Sequence, residues 1–268
     1  RGDRGTFLVA VGDRGPDVAF VALPGAPASS AAFDTWQVID LSTIDAPPHT
    51  PRIEQAEAIA VDGARTAAVL IEDPPLLAVL DVPDRRITHT FILDGGDLPG
   101  LGRAWADDAS SRGEGMVLLR DGHVLVIKEK RPAGFLEFGP EGSAAAGVSD
   151  RTLHSADEEW SAPSGSILVA LAWWPAEDRL DDLSDAAVGP DGGLYLLSDK
   201  SNAIGRLALP LAPDGDHTAR LECIWGLPDD VVKAEGLAFL PSGEVVVAVD
   251  QPQLGRNLVV LPSPSTWG

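Results

Sequence analysis

Cysteine is almost absent from this chain of 268 residues. The lone Cys223 cannot form an internal disulfide, and with no second cysteine the chain cannot build a thiolate metal site. Long apolar runs are missing too, because none approaches the eighteen or so residues of a membrane helix. The chain also does not open with a basic and then apolar signal segment. We therefore expect a soluble protein without membrane insertion, whose compartment the residues do not indicate.

Positive charge is scarce as well. There are 41 Asp and Glu against 20 Lys and Arg, which gives a formal net charge of -21. Such a surface repels phosphate backbones and anionic lipids and favours cations, so we expect no nucleic-acid partner. Solubility or a salt-adapted source is the plain explanation of this acidity. The chain also lacks a nucleophile elbow, a P-loop, a Rossmann fingerprint and an H-E-x-x-H motif.

What the sequence does contain is a repeat. Four stretches, 56–73, 113–130, 184–200 and 234–251, share one pattern: an acidic and a small residue, an apolar strand, a turn at Gly or Asp-Gly, a second apolar strand and a closing acid. A unit that recurs about every 50–70 residues is typical of a stacked or circular β-repeat. Residues 4–14 match the second half of a fifth copy, which would close at Asp13.

Further strands follow each repeat and complete a four-stranded antiparallel unit, which is the blade of a β-propeller. We predict an all-β fold: one five-bladed propeller domain over residues 1–268, with six blades as the alternative. Loop insertions at 94–112 and 141–164 interrupt it. The first blade lacks its innermost strand and the last its outermost, so we expect the two ends to lie near each other.

The acids of the repeat come in pairs. In a hairpin the second strand returns to the rim where the first began, so the opening and closing acids of a unit should lie side by side. Near-symmetry would direct the opening acids of four units at the channel axis; these are Glu57, Glu114, Asp185 and Glu235. Like charges this close need a counterion or raised pKa values. A wide ring of oxygen ligands favours calcium. Two alternatives are that the acids cap backbone N–H groups at strand starts, or that they share protons.

The chain has four lysines, and all of them lie within two residues of a repeated acid: Lys128, Lys130, Lys200 and Lys233. Ion pairing that neutralises the rim is one interpretation. In the other, the anionic part of a ligand is held by a mixed site of Lys128, Lys130, Arg131 and Lys200. Alternate residues of a regular strand point to opposite faces, so Lys128 and Lys130 should not point the same way as Glu129.

The two insertions carry Trp105 and Trp160 outside any predicted strand. Long excursions from a rigid scaffold often bind ligands, so each indole is either a ligand platform or a lid over the core. The five histidines are not spaced as metal pairs, and we expect them at the surface; they are His49, His89, His123, His154 and His217.

Three segments contain motifs similar to those of a known family: 112–138 with RGEGM and LVIKEKRPAGFLEF, 182–202 with DLSDAAV and LYLLSDKSN, and 233–252 with KAEGLAF and VVVAVDQP. Their order resembles the SdiA-regulated (YjiK-like) family of bacterial β-propellers and, more loosely, phytase-like esterase and calcium-dependent nucleotidase propellers. The resemblance covers most of residues 50–261. It implies a propeller, a calcium ion at or near the channel, and a periplasmic or secreted bacterial protein. The chain departs from the pattern at Ala58 and Ala186, where glycine is usual, and lacks the family's first motif.

Two functions remain open. We favour a protein that binds a small molecule or a protein at the acidic channel rim without turnover, with calcium as a structural ion, because no nucleophile or acid/base pair can be singled out. The alternative is a calcium-dependent hydrolase of a phosphoester, ester or lactone, in which Glu72 or Glu129 is the general base. The fold alone cannot decide, since propellers support both kinds of function.

Overall fold

A computed structural model describes residues 6–12, 15–23, 36–62, 65–108, 111–155, 158–215, 217–250 and 257–267. Within these ranges the regular secondary structure is almost entirely β-strand, as the repeat predicted. The one α-helix among the described residues is the short α1 (Ala104–Asp107). No helix of the described part is long and apolar enough to cross a membrane.

The first two groups of strands occupy the N-terminal part of the described chain. They are β1 (Thr6–Val11), β2 (Asp17–Leu23) and β3 (Gln37–Asp40), followed by β4 (Ala58–Val61), β5 (Thr66–Ile71), β6 (Leu76–Asp81) and β7 (Arg86–Asp94). β6 is buried along its whole length, because neighbouring groups cover both of its faces. β7 alternates between buried and exposed residues, as expected of an outer strand.

Three more groups follow. They are β8 (Gly115–Leu118), β9 (Val124–Lys128), β10 (Gly134–Pro140) and β11 (Ile167–Pro175); then β12 (Asp185–Val188), β13 (Leu194–Ser198), β14 (Ala203–Leu207) and β15 (Leu221–Gly226); and last β16 (Ala234–Phe239), β17 (Val245–Val249) and β18 (Leu258–Leu261). Each group is an antiparallel meander. The second and third meanders join into one eight-stranded sheet, because β7 and β11 pair in parallel at Ile92 with Ile167 and Leu93 with Leu168.

The hydrophobic core consists of clusters that lie between successive meanders. Each cluster can be represented by one residue from either side: Val18 with Val69, Phe91 with Phe138, Phe135 with Leu196, Leu197 with Val247, and Leu8 with Val246. The last pair joins the fifth meander to the first, so face-to-face packing closes a ring. This arrangement is that of a β-propeller.

The first strands of four meanders, β4, β8, β12 and β16, follow one another around the centre of the ring. Their approach is close. A Cβ atom on Gly115 would lie 2.8 Å from Cα of Asp185 and 2.9 Å from the backbone N of Ala186. Both neighbours are backbone atoms of the next inner strand, which cannot rotate away. Glycine is therefore required at this position of β8.

The two predicted ligand tryptophans lie in the core. Trp105 is 5% exposed and packs on Phe138 with ring centroids 5.1 Å apart. Trp160 is 3% exposed, and its Nε1 donates a hydrogen bond to the carbonyl of Leu119 at 2.9 Å. Both indoles cover the space between the second and third meanders. This corrects the interpretation in which they form a ligand platform, because no broad ring face is left for a ligand.

His123 is also buried, contrary to the expectation of a surface position. Its Nδ1 lies 2.6 Å from Oε1 of Glu137 on β10. The same carboxylate accepts hydrogen bonds from the backbone N–H groups of Ala146 and Gly147, at 2.7 and 2.9 Å. Glu137 thereby ties the 141–164 insertion to the sheet, and both residues serve the fold.

We predict that Gly115→Ala destabilises the protein by about 1–3 kcal/mol, because the added methyl group forces two inner strands apart. Thermal unfolding followed by circular dichroism measures the change. Gly226→Ala is the matched control, since a Cβ atom there would meet nothing within 4 Å. Equal midpoints for the two variants would show that the inner strands are not packed as described.

Candidate functional site

A cavity of ≈ 1290 Å³ lies at the centre of the ring. Carboxylates dominate its polar lining, in which nine of them belong to described residues: Glu57, Glu72, Glu114, Glu129, Asp182, Asp185, Asp199, Glu235 and Asp250. The opening and closing acids of all four complete repeat units are among them. The structure thus brings together the side chains that the repeat paired, whereas Asp13 lies outside the described residues.

Asp185 is held by backbone groups. Its Oδ1 accepts a hydrogen bond from the N–H of Ala186, and its Oδ2 accepts one from the N–H of Leu237 on β16, both at 2.7 Å. Burial raises the pKa of this carboxyl to about 7, against the opposing effect of the two N–H donors. Oδ2 therefore serves the contact between β12 and β16, whereas Oδ1 binds within β12 itself.

Two closing acids make the same kind of contact. Glu72 Oε1 accepts the N–H of Arg112 at 2.7 Å, just before β8. Asp199 Oδ1 accepts the N–H of Ala234 at 3.1 Å, at the start of β16. Each carboxylate comes from one meander and binds the backbone where the next inner strand begins, so these acids fasten neighbouring meanders together.

Among the acids of the cavity, Glu114 has the most strongly raised pKa. Burial raises its pKa to about 8, and the carboxylates of Glu129, Glu57, Glu72 and Glu235 add to the shift. Without a cation, this side chain is therefore largely protonated at neutral pH.

Two further acids have raised pKa values. The pKa of Glu235 rises to about 7 through partial burial and then through Asp199, Asp182 and Asp250, against the lowering effect of Lys233. Burial also raises the pKa of Glu72.

The lysines of the cavity pair with its acids. Lys130 forms an ion pair with Glu129. Nζ of Lys200 lies 3.7 Å from Oε1 of Glu129 and 3.4 Å from Oδ2 of Asp182. At the rim, Nζ of Lys233 lies 3.3 Å from Oδ2 of Asp250. These contacts agree with the interpretation in which lysine neutralises part of the acidic rim.

Lys128 and Arg131 lie outside the described lining, which corrects their place in the mixed ligand site. Lys128 is fully buried, and its ammonium donates to the carbonyls of Ser111 and Lys130 and to the Ser111 hydroxyl, at 2.8–3.1 Å. Arg131 contacts the carboxylate of Asp108 through two nitrogens, at 3.1 and 3.3 Å. The pair of Ser111 and Lys128 resembles a nucleophile with its base, but both residues are sealed from solvent.

The sequence analysis did not identify two residues of this region, Arg112 and Asp182. Arg112 donates to the carbonyls of Trp105 and Ala106, at 2.7 and 2.9 Å, and so fixes the 94–112 insertion beside Glu72. Asp182 accepts from the Ser198 hydroxyl at 2.6 Å as well as from Lys200. Asp182 lies three positions before the opening acid Asp185. The sequence DLSD of residues 182–185 was therefore the one signal that could have indicated it.

The described residues contain no group of three or more His, Cys, Asp or Glu side chains arranged to hold a metal ion. The four predicted calcium ligands line one cavity, but as they stand they do not form a coordination sphere, and Asp185 is engaged by N–H donors. The chemistry of the remaining carboxylates suits a hard cation. Calcium binding thus stays a prediction.

No family model and no curated protein matches the chain. Among solved structures, the chain is similar to a protein of unknown function from Bacteroides caccae, with 12% identity and a TM-score of 0.43 over 97% of this chain and 74% of that one. It is also similar to virginiamycin B lyase from Staphylococcus aureus, with 11% identity and a TM-score of 0.40 over 98% and 72%. A third is the WD40 β-propeller domain of Doa1, with 11% identity and a TM-score of 0.43 over 97% and 64%. Structural similarity with so little sequence identity supports no statement about the activity of this chain.

We predict that the protein is less stable at pH 8.5 than at pH 5. A carboxyl whose pKa is higher in the folded than in the unfolded state favours folding while protonated, and this stabilisation is lost as pH rises from about 4.5 through about 8. Glu114→Gln should therefore reduce the fall of the melting temperature between the two pH values, by roughly 2–4 °C.

Glu141→Gln is the control for this experiment, because it removes the same charge from an exposed loop position. Its melting temperature should depend on pH as that of the unchanged protein does. An identical pH profile for the Glu114 and Glu141 variants would contradict the described environment of Glu114.

Proposed function

We propose that the protein is a five-bladed β-propeller, of the SdiA-regulated type, that binds a calcium ion and a small molecule at its acidic cavity without turnover. The five blades are the five meanders, with β4–β7 and β8–β11 counted separately although they share one sheet. The first and last blades have three described strands each.

The observation that carries this proposal is the imbalance of charge in the cavity. Nine carboxylates of the described lining face two ammonium groups, Lys130 and Lys200, and both of these already contact carboxylates. A third ammonium group, that of Lys233 at the rim, contacts Asp250. Keeping acids such as Glu114 ionised at close quarters to other carboxylates is unfavourable, as the raised pKa of Glu114 indicates. A bound cation would relieve this repulsion, so cation binding and ionisation of the acids should favour each other.

Calcium is the cation that fits these donors best. It accepts six to eight oxygen ligands in flexible geometry, whereas magnesium demands a small octahedron. Glu57, Glu114 and Glu235 would supply the oxygens, since Asp185 is held by backbone N–H groups. No such group is arranged among the described residues, so binding would require these long side chains to change their rotamers.

The absence of turnover is supported by the state of the possible catalytic groups. Glu72 accepts the N–H of Arg112, and Glu129 is paired with two lysines, so neither is poised as a general base. Ser184 is the one serine of the described lining, and its hydroxyl is engaged by the N–H of Asp199 at 3.1 Å. One observation favours the alternative of a calcium-dependent hydrolase: the pKa of Glu114, near neutrality, would suit a general acid.

We expect calcium to raise the melting temperature and EDTA to lower it again. At a calcium concentration a hundredfold above the dissociation constant, the stabilisation should be about 2.7 kcal/mol. The double variant Glu114→Gln with Glu235→Gln should lose this response, whereas Glu141→Gln should keep it. No response of the unchanged protein to calcium would remove the ion from the proposal.

We also expect no hydrolysis of generic phosphoester, acetate ester and lactone substrates, with or without calcium. Product release followed by absorbance is the measurement. Turnover that requires calcium and is abolished by Glu72→Gln or Glu129→Gln would replace the binding proposal with the hydrolase. Turnover that survives the Glu114 and Glu235 substitutions would place the chemistry elsewhere.

A further inference from the structure

Two carboxylates of the cavity differ from the others in their contacts. Among the described residues, no hydrogen bond or ion pair engages Glu114 or Glu235. Glu72, Glu129 and Asp199, by contrast, each bind a backbone N–H group or a lysine. Glu114 is half-buried and Glu235 is exposed, and both line the cavity. A ligand can therefore reach both carboxylates without breaking a contact to a described residue.

These two carboxylates lie on either side of Asp185. A Cβ atom on Gly115, the residue after Glu114, would lie 2.9 Å from Oδ1 of Asp185. The N–H of Leu237, two residues after Glu235, donates to Oδ2 of the same side chain at 2.7 Å. Strand β12 thus separates β8 from β16. The cavity therefore offers two negative charges at two places, which agrees with the absence of a converging metal-binding group among the described residues.

Each of the two carboxylates has its own acidic surroundings. Besides burial, a different set of neighbouring carboxylates raises the pKa of each one: chiefly Glu129, Glu57 and Glu72 at Glu114, and Asp199, Asp182 and Asp250 at Glu235. These sets have no member in common, and we call them the Glu114 centre and the Glu235 centre. A single point charge at one centre would leave the other without a counterion.

The protein's own side chains show which kind of cation these acids accept as they stand. The ammonium group of Lys130 pairs with Glu129, and that of Lys200 lies between Glu129 and Asp182, at 3.7 and 3.4 Å. An ammonium group donates up to three separate hydrogen bonds, so one or two carboxylates suffice to hold it. Calcium needs six to eight oxygens around one point. Ammonium groups therefore fit the observed arrangement without a change of rotamers.

We propose that the small molecule bound in the cavity is a linear aliphatic oligoamine, with one ammonium group at Glu114 and another at Glu235. This inference rests on the proposed binding function and names the chemical class of its ligand. A chain with a positive charge at each end is complementary to the two centres, whereas an anion would be repelled by both. Because the amine and calcium would use the same two carboxylates, each should weaken the binding of the other.

The first test compares two amines of equal chain length, putrescine with two ammonium groups and butylamine with one. Isothermal titration calorimetry of the full chain in EDTA measures both affinities, and the ionic strength is held constant so that general screening is the same. Putrescine should bind at least about tenfold more tightly, because its second ammonium group gains a second carboxylate. Equal affinities, or no binding of putrescine, would overturn the proposal.

Substitution of the two carboxylates tests where the amine binds. Glu114→Gln and Glu235→Gln should each lower the affinity for putrescine at least about tenfold, to near that of butylamine. Glu141→Gln is the control, because it removes the same charge from an exposed loop position, and its affinity should not change. An equal loss in all three variants would show attraction by net charge alone and would overturn the proposal.

Competition in the unchanged protein keeps the proposal falsifiable if a variant does not fold. Adding calcium should lower the apparent affinity for putrescine, and putrescine should reduce the rise of the melting temperature that calcium causes. Additive effects of the two ligands would overturn the shared site. A calcium response without a preference for putrescine over butylamine would overturn this inference alone. A protein that responds to neither ligand would contradict the proposed function as well.

Discussion

The centre of this molecule depends on one interaction: a carboxylate of one meander accepts the backbone N–H at an inner strand of the next. Glu72 does so for Arg112, Asp185 for Leu237 and Asp199 for Ala234. Hydrogen bonds with a charged acceptor are stronger than neutral ones. They fix inner strands whose short length gives them few ladder hydrogen bonds of their own. Apolar packing joins the meanders further out, but these bonds define how closely they meet at the axis.

The same interaction has an electrostatic cost. Every meander that is fastened in this way brings its acids to one small volume, and the ring closure concentrates them further. The consequence is visible at Glu114, which makes none of these fastening contacts with the described residues and whose pKa rises to about 8. The fold therefore leaves a surplus of negative charge in the cavity, which the ammonium groups of Lys130 and Lys200 neutralise in part. A positively charged ligand would be attracted to the cavity for this reason.

Much of the architecture could be predicted because it depends on residues that are close together in sequence. The repeats at 113–130 and 234–251 became the hairpins of β8 with β9 and β16 with β17, since alternation and turn residues are properties of the sequence itself. That the opening and closing acids of the repeat units line one cavity could be predicted from the near-symmetry of the repeat. The direction of single side chains could not be predicted in this way. Lys128 ends its strand, and its ammonium donates to two acceptors of Ser111, in another loop, and to the carbonyl of Lys130. The burial of Trp105 and of His123 likewise depends on partners distant in sequence, Phe138 and Glu137.

The parallel pairing of β7 with β11 makes the second and third meanders one continuous sheet, bordered by large apolar clusters. Among the described residues, a cluster around Leu8 and Val246 packs the fifth meander against the first. Because β7 and β11 share backbone hydrogen bonds, the second and third meanders should unfold together as one cooperative unit rather than one after the other.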